Sequence, residues 1–123
     1  TSPVFSIYAL NLVLDWVVAQ GGVTEMHRRN LAKAHKLYAF LDQSDFYTAP
    51  VETTARSLTN VVFTTGDLTR DKMIAKRAES EGLFNLNGHR SVGGFRASLY
   101  NAQSMAAVDA LITFLKKVEK EQV

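Results

Sequence analysis

The chain has 123 residues, of which 46% are hydrophobic and none is cysteine, and its formal net charge is +2. This length suits a single domain with a hydrophobic core and excludes a disordered or low-complexity chain. The lack of cysteine excludes disulfides, a thiolate nucleophile and cysteine metal sites, and it is consistent with a cytoplasmic location. Lysines and arginines are spread along predicted helices rather than massed in one block, which disfavours nucleic acid as a partner.

The first predicted element is an apolar helix over residues 1–20. Ser2 is a capping residue, Pro3 is tolerated at the first helical position, and Gly21-Gly22 is a stop signal. A few polar residues interrupt the apolar run, so neither a signal peptide nor a membrane span fits. A helix that is apolar all round must be buried all round, so we expect one side to contact a larger domain or a second subunit. Because the chain also lacks an initiator Met, we expect it to be a piece of a longer protein.

A second helix is predicted over 24–42, with one apolar stripe and a charged face that should point to solvent. His27 and His35 lie on this helix without a carboxylate cluster nearby, so we interpret them as surface or packing residues and not as metal ligands. The lysines of the chain fall on predicted helices, mostly on outer faces, which argues against a buried Schiff-base lysine. They include Lys33, Lys36, Lys72, Lys76, Lys116, Lys117 and Lys120.

The rest of the chain alternates between strands and helices. The pattern predicts a loop over 44–57, a strand over 59–64, a helix that follows Asp67 and ends at Gly82, strands over 83–86 and 95–100, and a helix capped by Ser104. This order predicts an α/β fold, a two-layer α+β sandwich in which a small mixed or antiparallel sheet of about three strands is covered by helices.

Residues 88–101 carry the clearest functional signal, because His89, Arg90 and Arg96 surround the glycine pair Gly93-Gly94. Arginine can clamp a carboxylate or phosphate in two places, and histidine adds a third donor. Residues alternate from position 95 onward, which places Arg96 on the polar face of a strand. The segment is either a glycine-rich turn with solvated arginines or a pair of neighbouring anion pockets.

No reaction centre accompanies these residues. The chain has no nucleophile elbow, no paired carboxylates near the basic cluster, and no glycine spacing of the Walker or dinucleotide type. The sequence therefore predicts residues that hold a substrate and does not predict residues that transform it.

The segment 88–102, Gly-His-Arg-Ser-Val-Gly-Gly-Phe-Arg-Ala-Ser-Leu-Tyr-Asn-Ala, resembles the C-terminal signature of the phosphoserine aminotransferase family. The resemblance extends over the chain: residues 1–3 resemble the family's Asn-Thr-Pro segment without its Asn, and residues 57–63 resemble its Arg-Ser-x-x-Asn-Val-x-Phe strand. Gly21-Gly22, followed by Met26 and Asn30, resembles the intervening helix pair. The long C-terminal motif is the most specific of these matches.

The resemblance implies the small domain of a fold-type I enzyme dependent on pyridoxal 5'-phosphate. Such an enzyme is a cytoplasmic homodimer that transfers an amino group between glutamate (2-oxoglutarate) and 3-phosphohydroxypyruvate (phosphoserine) in serine biosynthesis. The resemblance assigns the substrate phosphate to His89 and Arg90, the substrate α-carboxylate to Arg96, and a contact with the cofactor phosphate across the dimer to Thr1. Residues 1–123 would be one C-terminal substrate-binding domain, with an interdomain helix over 1–20 and the sandwich over 23–123. The cofactor lysine would lie in a large domain outside this chain, so the chain alone should be inactive.

Two alternatives to this assignment stay open. One is a non-enzymatic basic module that binds phosphate-bearing ligands or nucleic acid. The other is the small domain of another class V aminotransferase, or of a cysteine desulfurase type, that acts on a substrate without phosphate. The pair His89-Arg90 favours a phosphorylated substrate, because a substrate with no second anion does not need a second anion-binding group.

Overall fold

A computed structural model describes residues 1–122. Four helices and two short strands follow one another along the chain. They are α1 (Val4–Ala19), α2 (Gly22–Gln43), β1 (Asn60–Phe63), α3 (Leu68–Ser80), β2 (Phe95–Ser98) and α4 (Met105–Gln122), with a turn of 3-10 helix at Thr53–Ala55.

Helix α1 is apolar and exposed along its length. Phe5 is 82% exposed and Val18 is 73% exposed, and no residue of α1 is buried. The expected cap is wrong, since Pro3 occupies the N-cap position and Ser2 makes no side-chain capping hydrogen bond. Within the described residues no single helix is long and apolar enough to span a membrane, although α1 and α2, bent by 78°, pass that test as a pair.

The break between α1 and α2 is shorter than the sequence predicts, and α2 begins at Gly22. Gly21 takes a φ of 112°, which L side chains rarely adopt, and this lets the chain turn sharply between the two helices. The prediction of a solvent-facing charged face on α2 is wrong at one position. Lys33 is only 3% exposed, because it lies on the side of α2 that faces the turn after β2.

The two strands pair in antiparallel register, with Val61 opposite Ala97 and Phe63 opposite Phe95. On the outer edge of β1, Thr64 forms a bridge with Thr48. On the outer edge of β2, Asn87 forms a bridge with Phe95. Short segments therefore extend the sheet on both sides without forming regular strands.

The third strand predicted over 83–86 is not formed. Leu86, the last residue of the predicted strand, keeps one backbone hydrogen bond to β2, in which the amide of Arg96 donates to its carbonyl at 2.9 Å. The next residue back, Asn85, has a φ of 62° in the left-handed region, which turns the chain away from β2. Phe84, which would lie opposite Ser98 if the strand continued, is 69% exposed. A single backbone reversal thus ends the pairing.

The core lies between one face of the sheet and the helices. Phe95, Ala97 and Leu99 alternate onto the buried face as the sequence predicts, and Phe63 stacks on Phe95 with ring centroids 4.8 Å apart. Tyr47, from the loop after α2, is buried among these rings and donates its hydroxyl to the carbonyl of Leu115 at 3.1 Å. The opposite face of the sheet carries the partly buried Arg96.

Candidate substrate-binding site

Residues 88–94 form a tight loop, called here the 88–94 loop, whose ends are joined by a hydrogen bond from the amide of Gly88 to the carbonyl of Gly94 at 2.8 Å. Inside it, the amides of Val92 and Gly93 both donate to the carbonyl of His89, at 3.0 and 2.8 Å. The loop leads directly into β2. Its basic residues therefore lie at the tip of a hairpin-like structure whose base is fixed in the sheet.

The glycines of the loop allow close contacts with the backbone around them. A Cβ at Gly88 would lie 2.0 Å from the carbonyl oxygen of Gly93, and a Cβ at Gly94 would lie 2.8 Å from that of Phe63. A Cβ at Gly93 would lie 2.8 Å from the Leu68 side chain. The loop thus rests on the end of β1 and the start of α3, and larger residues would lift it away.

A buried carboxylate fixes the surface on which the loop rests. Asp71 is 1% exposed and accepts hydrogen bonds from the hydroxyl of Thr64 at 2.5 Å and from the hydroxyl and amide of Thr65 at 2.6 and 2.9 Å. Asp67 caps α3 separately by accepting from the amides of Thr69 and Arg70. The sequence carries no signal that singles out Asp71, since an acidic residue in the first turn of a helix is ordinary.

His89 is exposed, and its ring orientation is set inside the loop. Its Nδ1 lies 2.7 Å from the Ser91 hydroxyl and accepts the Ser91 amide at 3.2 Å. An Nδ1 that accepts a backbone amide leaves the proton of the neutral ring on Nε2, which becomes the donor offered to a ligand. Arg90, the next residue, is also exposed, and within the described residues it forms neither an ion pair nor a side-chain hydrogen bond.

Arg96 sits on β2, on the face of the sheet opposite the core. Its Nε is buried and has no hydrogen-bond partner in residues 1–122. An unpaired buried donor costs about 1–3 kcal/mol, and an anion that accepted from it would recover this cost. The unpaired Nε–H makes Arg96 a candidate for binding a carboxylate or phosphate.

Arg96 also lines a cavity of about 730 Å³. Its walls come from residues 82–86, from β2 and the turn after it, and from the start of α4. His89 and Arg90 are not among its lining residues. The structure thus places His89 and Arg90 next to each other on the loop and Arg96 apart from them on β2.

The remaining site prediction concerns Thr1, which is exposed and precedes α1. Within the described residues no cluster of three or more histidine, aspartate or glutamate side chains could hold a metal ion. Lys33 is the buried lysine of residues 1–122, and its ammonium donates to the carbonyls of Tyr100 and Gln103, both at 2.8 Å. These contacts engage the nitrogen, so Lys33 is unsuited to holding an aldehyde cofactor.

The chain is similar to phosphoserine aminotransferases from several bacteria. It is 71% identical to that of Leuconostoc mesenteroides over 119 residues, which is 97% of this chain and 33% of the relative. It is 53% identical to that of Listeria monocytogenes over 117 residues, which is 95% of this chain and 32% of the relative. The chain thus spans about a third of the length of the curated relatives it matches.

Solved structures of phosphoserine aminotransferases contain a region with the same fold as this chain. The phosphoserine aminotransferase from Bacillus circulans subsp. alkalophilus matches all of this chain and 34% of its own, with a TM-score of 0.96 and 38% identity. The pyridoxal-phosphate-bound enzyme from Trichomonas vaginalis matches 94% of this chain and 34% of its own, with a TM-score of 0.88 and 37% identity. The predicted small-domain fold of a fold-type I enzyme is confirmed.

The model of the family described as aminotransferase class-V matches residues 1–111. That match includes α1, the sheet, the 88–94 loop, Arg96 and the first turns of α4, and it leaves out residues 112–123. The chain belongs to the class-V aminotransferase family.

Proposed function

We propose that this chain is the C-terminal substrate-binding domain of a phosphoserine aminotransferase, with residues 1–20 as an interdomain helix and 23–123 as the α/β sandwich. The reaction would exchange the amino group of glutamate with the keto group of 3-phosphohydroxypyruvate, giving 2-oxoglutarate and phosphoserine. The observation that carries the proposal is the buried Nε of Arg96 on β2, which has no hydrogen-bond partner within residues 1–122. The loop that leads into this strand presents the exposed side chains of His89 and Arg90. The similarity to phosphoserine aminotransferases supports it.

Arg96 would hold the α-carboxylate that both amino-acid substrates share. A strand position is rigid, and β2 is held by β1 along its whole length, so the guanidinium can keep a substrate in one orientation. Two parallel N–H donors on the guanidinium also fix the plane of a carboxylate, which a lysine could not do.

His89 and Arg90 would hold the phosphate at the other end of the substrate. The Nε2–H of His89 and the guanidinium of Arg90 are the donors of the loop tip, and Ser91 keeps the ring in place. A phosphate carries close to two negative charges and a side-chain carboxylate carries one, so the loop should favour the phosphorylated substrate over glutamate.

Pyridoxal 5'-phosphate, held by the part of the enzyme outside this chain, would supply the electron sink for transamination. The residues of this chain would bind the two anionic ends of the substrate, orient its α-carbon and exclude water. Thr1 offers an exposed hydroxyl that fits a hydrogen bond to a cofactor phosphate, and we assign it that role across a dimer interface. The exposed apolar surface of α1 fits a helix that the rest of the enzyme or a second subunit covers. The proposed enzyme would be a cytoplasmic homodimer.

A basic module for nucleic acid is a weaker candidate. In the described part of the chain the cations Arg28, Arg29, Lys36, Arg56, Arg77 and Lys117 all pair with carboxylates. Paired charges produce little net field, so these residues do not form the continuous positive surface that a phosphate backbone needs.

The proposal is tested in the full-length enzyme by comparing Arg96→Ala with Arg90→Ala. Loss of a charge-assisted contact costs about 1.5–3 kcal/mol, or roughly 10- to 100-fold in kcat/KM. Arg96→Ala should lower kcat/KM by such a factor for glutamate and for phosphoserine alike, whereas Arg90→Ala should lower it mainly for phosphoserine. Arg70→Ala, which removes an exposed arginine from α3, is the control and should change neither. Equal losses for both substrates in both site variants would contradict the assignment.

A further inference from the structure

Lys33 carries a buried charge that no carboxylate neutralises. It is 3% exposed, its Nζ donates to the carbonyls of Tyr100 and Gln103 at 2.8 Å each, and within residues 1–122 it forms no ion pair. Burial lowers its pKa, and repulsion from Arg29 lowers it further. Burying an ammonium group without a carboxylate partner costs free energy, so we expect its hydrogen bonds to have a structural or functional role.

Those contacts fix the turn that follows β2. Asn30 lies one helical turn before Lys33, on the same face of α2, and its Nδ2 donates to the Oδ1 of Asn101 at 2.8 Å. The turn itself is closed by a hydrogen bond from the amide of Gln103 to the carbonyl of Tyr100 at 2.9 Å. We call the contacts of Asn30 and Lys33 with residues 100–103 the α2 anchor.

The anchor acts where the sheet gives β2 the least support. Toward β1 the pairing continues to Leu99, whose amide donates to the carbonyl of Thr59 at 2.7 Å. Toward the other side it stops, because within residues 1–122 nothing continues the ladder beyond Leu86, where Asn85 reverses the backbone. The second half of β2 is thus held on one edge alone, and the α2 anchor holds the segment that immediately follows it.

Arg96 lies only four residues before the anchored turn, and the two share a cavity. Tyr100 and Gln103, which accept the two Lys33 hydrogen bonds, line the same cavity as Arg96. A shift of the turn would therefore change both the strand that carries the guanidinium and another part of the cavity wall. A displacement of about 1 Å at a substrate contact can cost on the order of 100-fold in rate.

We propose that Lys33 is a positioning residue for Arg96: by tying the turn after β2 to α2, it holds the guanidinium where the substrate α-carboxylate binds. This inference rests on the proposed function, since it needs Arg96 to bind that carboxylate. Lys33 touches neither substrate nor cofactor in this role, and it acts through residues 100–103.

The test is Lys33→Met in the full-length enzyme, which keeps an unbranched side chain as far as Cε and removes the ammonium group with its charge and donors. We expect KM for glutamate to rise by about tenfold or more, because its α-carboxylate binds at Arg96. The inhibition constant of inorganic phosphate, which probes His89 and Arg90, should change less than about twofold. Lys36→Met, an exposed lysine on the same helix, is the matched control and should leave both constants unchanged.

Two results would overturn the inference: an unchanged KM for glutamate in a folded but less stable Lys33→Met enzyme, or equal losses of glutamate and phosphate binding. If Lys33→Met does not fold, Asn101→Ala removes one contact of the α2 anchor at an exposed residue and should raise KM for glutamate in the same direction. An unchanged KM in that variant would also overturn it. A wild-type enzyme that does not transaminate 3-phosphohydroxypyruvate with glutamate would instead refute the proposed function.

Discussion

Gly88 and Gly93 approach so closely that a Cβ on Gly88 would lie 2.0 Å from the carbonyl oxygen of Gly93. The obstacle is backbone, so it cannot rotate away as a side chain would. Gly88→Ala should therefore break the hydrogen bond that closes the 88–94 loop and displace His89 and Arg90. We expect a destabilisation of about 1–3 kcal/mol, typical of overpacking, and a rise of roughly tenfold in KM for phosphoserine.

Gly22→Ala provides the control for this prediction. Gly22 has a φ of 76°, but a Cβ there meets nothing within 4 Å. Its cost is left-handed backbone strain of about 1–2 kcal/mol, comparable with that of Gly88→Ala, at a position outside the loop. Chemical denaturation and steady-state kinetics of the full-length variants separate the two effects. Similar KM values for phosphoserine in both variants would show that loop geometry does not govern phosphate binding.

Much of the fold was predictable because its signals are local. The apolar stripe of α4, the cap at Ser104, which accepts the amide of Ala107, and the alternation along β2 all appear in the structure. That residues 83–86 do not form a strand was not predictable, since it depends on the backbone conformation of Asn85. Asparagine tolerates that conformation without requiring it.

The site was predictable in its residue types and less so in its arrangement. The glycines and basic residues of 88–96 suggested anion binding, but the separation of the loop tip from Arg96 depends on how the hairpin is closed. Lys33 shows a second limit. A lysine on an amphipathic helix normally points to solvent, and only the tertiary contacts with the turn after β2 reveal that it is buried.

Asn85 should tolerate glycine and resist a β-branched residue. With a φ of 62°, Asn85→Val would either strain the backbone by about 1–2 kcal/mol or restore an extended conformation that brings Phe84 opposite Ser98. The second outcome would reduce the cavity beside Arg96, which Asn85 and Phe84 line. We therefore expect Asn85→Val to lower the free energy of unfolding or to raise KM for glutamate.

Asn85→Gly is the matched substitution, because glycine adopts the same φ without strain. Its free energy of unfolding should stay within about 0.5 kcal/mol of wild type, and its KM values should be unchanged. Urea denaturation and kinetics on both variants check the prediction. An Asn85→Val enzyme with wild-type stability and wild-type KM would show that the backbone reversal at this position has no role in shaping the cavity.

Glu25 should make the corner between α1 and α2 sensitive to acid. Hydrogen bonds from the side chains of Arg28 and then Arg29 lower its pKa from 4.5 to about 2. Arg29 donates both to the Glu25 carboxylate and to the side chain of Gln20, which directly follows α1. The carboxylate is therefore linked through Arg29 to the end of the first helix. A carboxyl whose pKa is lower in the folded state stabilises the fold above its unfolded pKa, and the contribution is lost as pH falls toward the folded pKa.

We therefore expect the stability difference between wild type and Glu25→Gln to be constant above pH about 5 and to shrink between pH about 4.5 and 2. Glu25 and its two arginines lie at the surface, so the stability difference between wild type and Glu25→Gln should also decrease with added salt. Glu79→Gln, at an exposed glutamate of α3 that forms no ion pair within residues 1–122, is the control for removing a surface carboxylate from a helix. The measurement is the midpoint of urea unfolding of the full-length variants across this pH range. A Glu25→Gln difference that stays constant down to pH 2 would mean that the carboxylate does not stabilise this corner through its arginines.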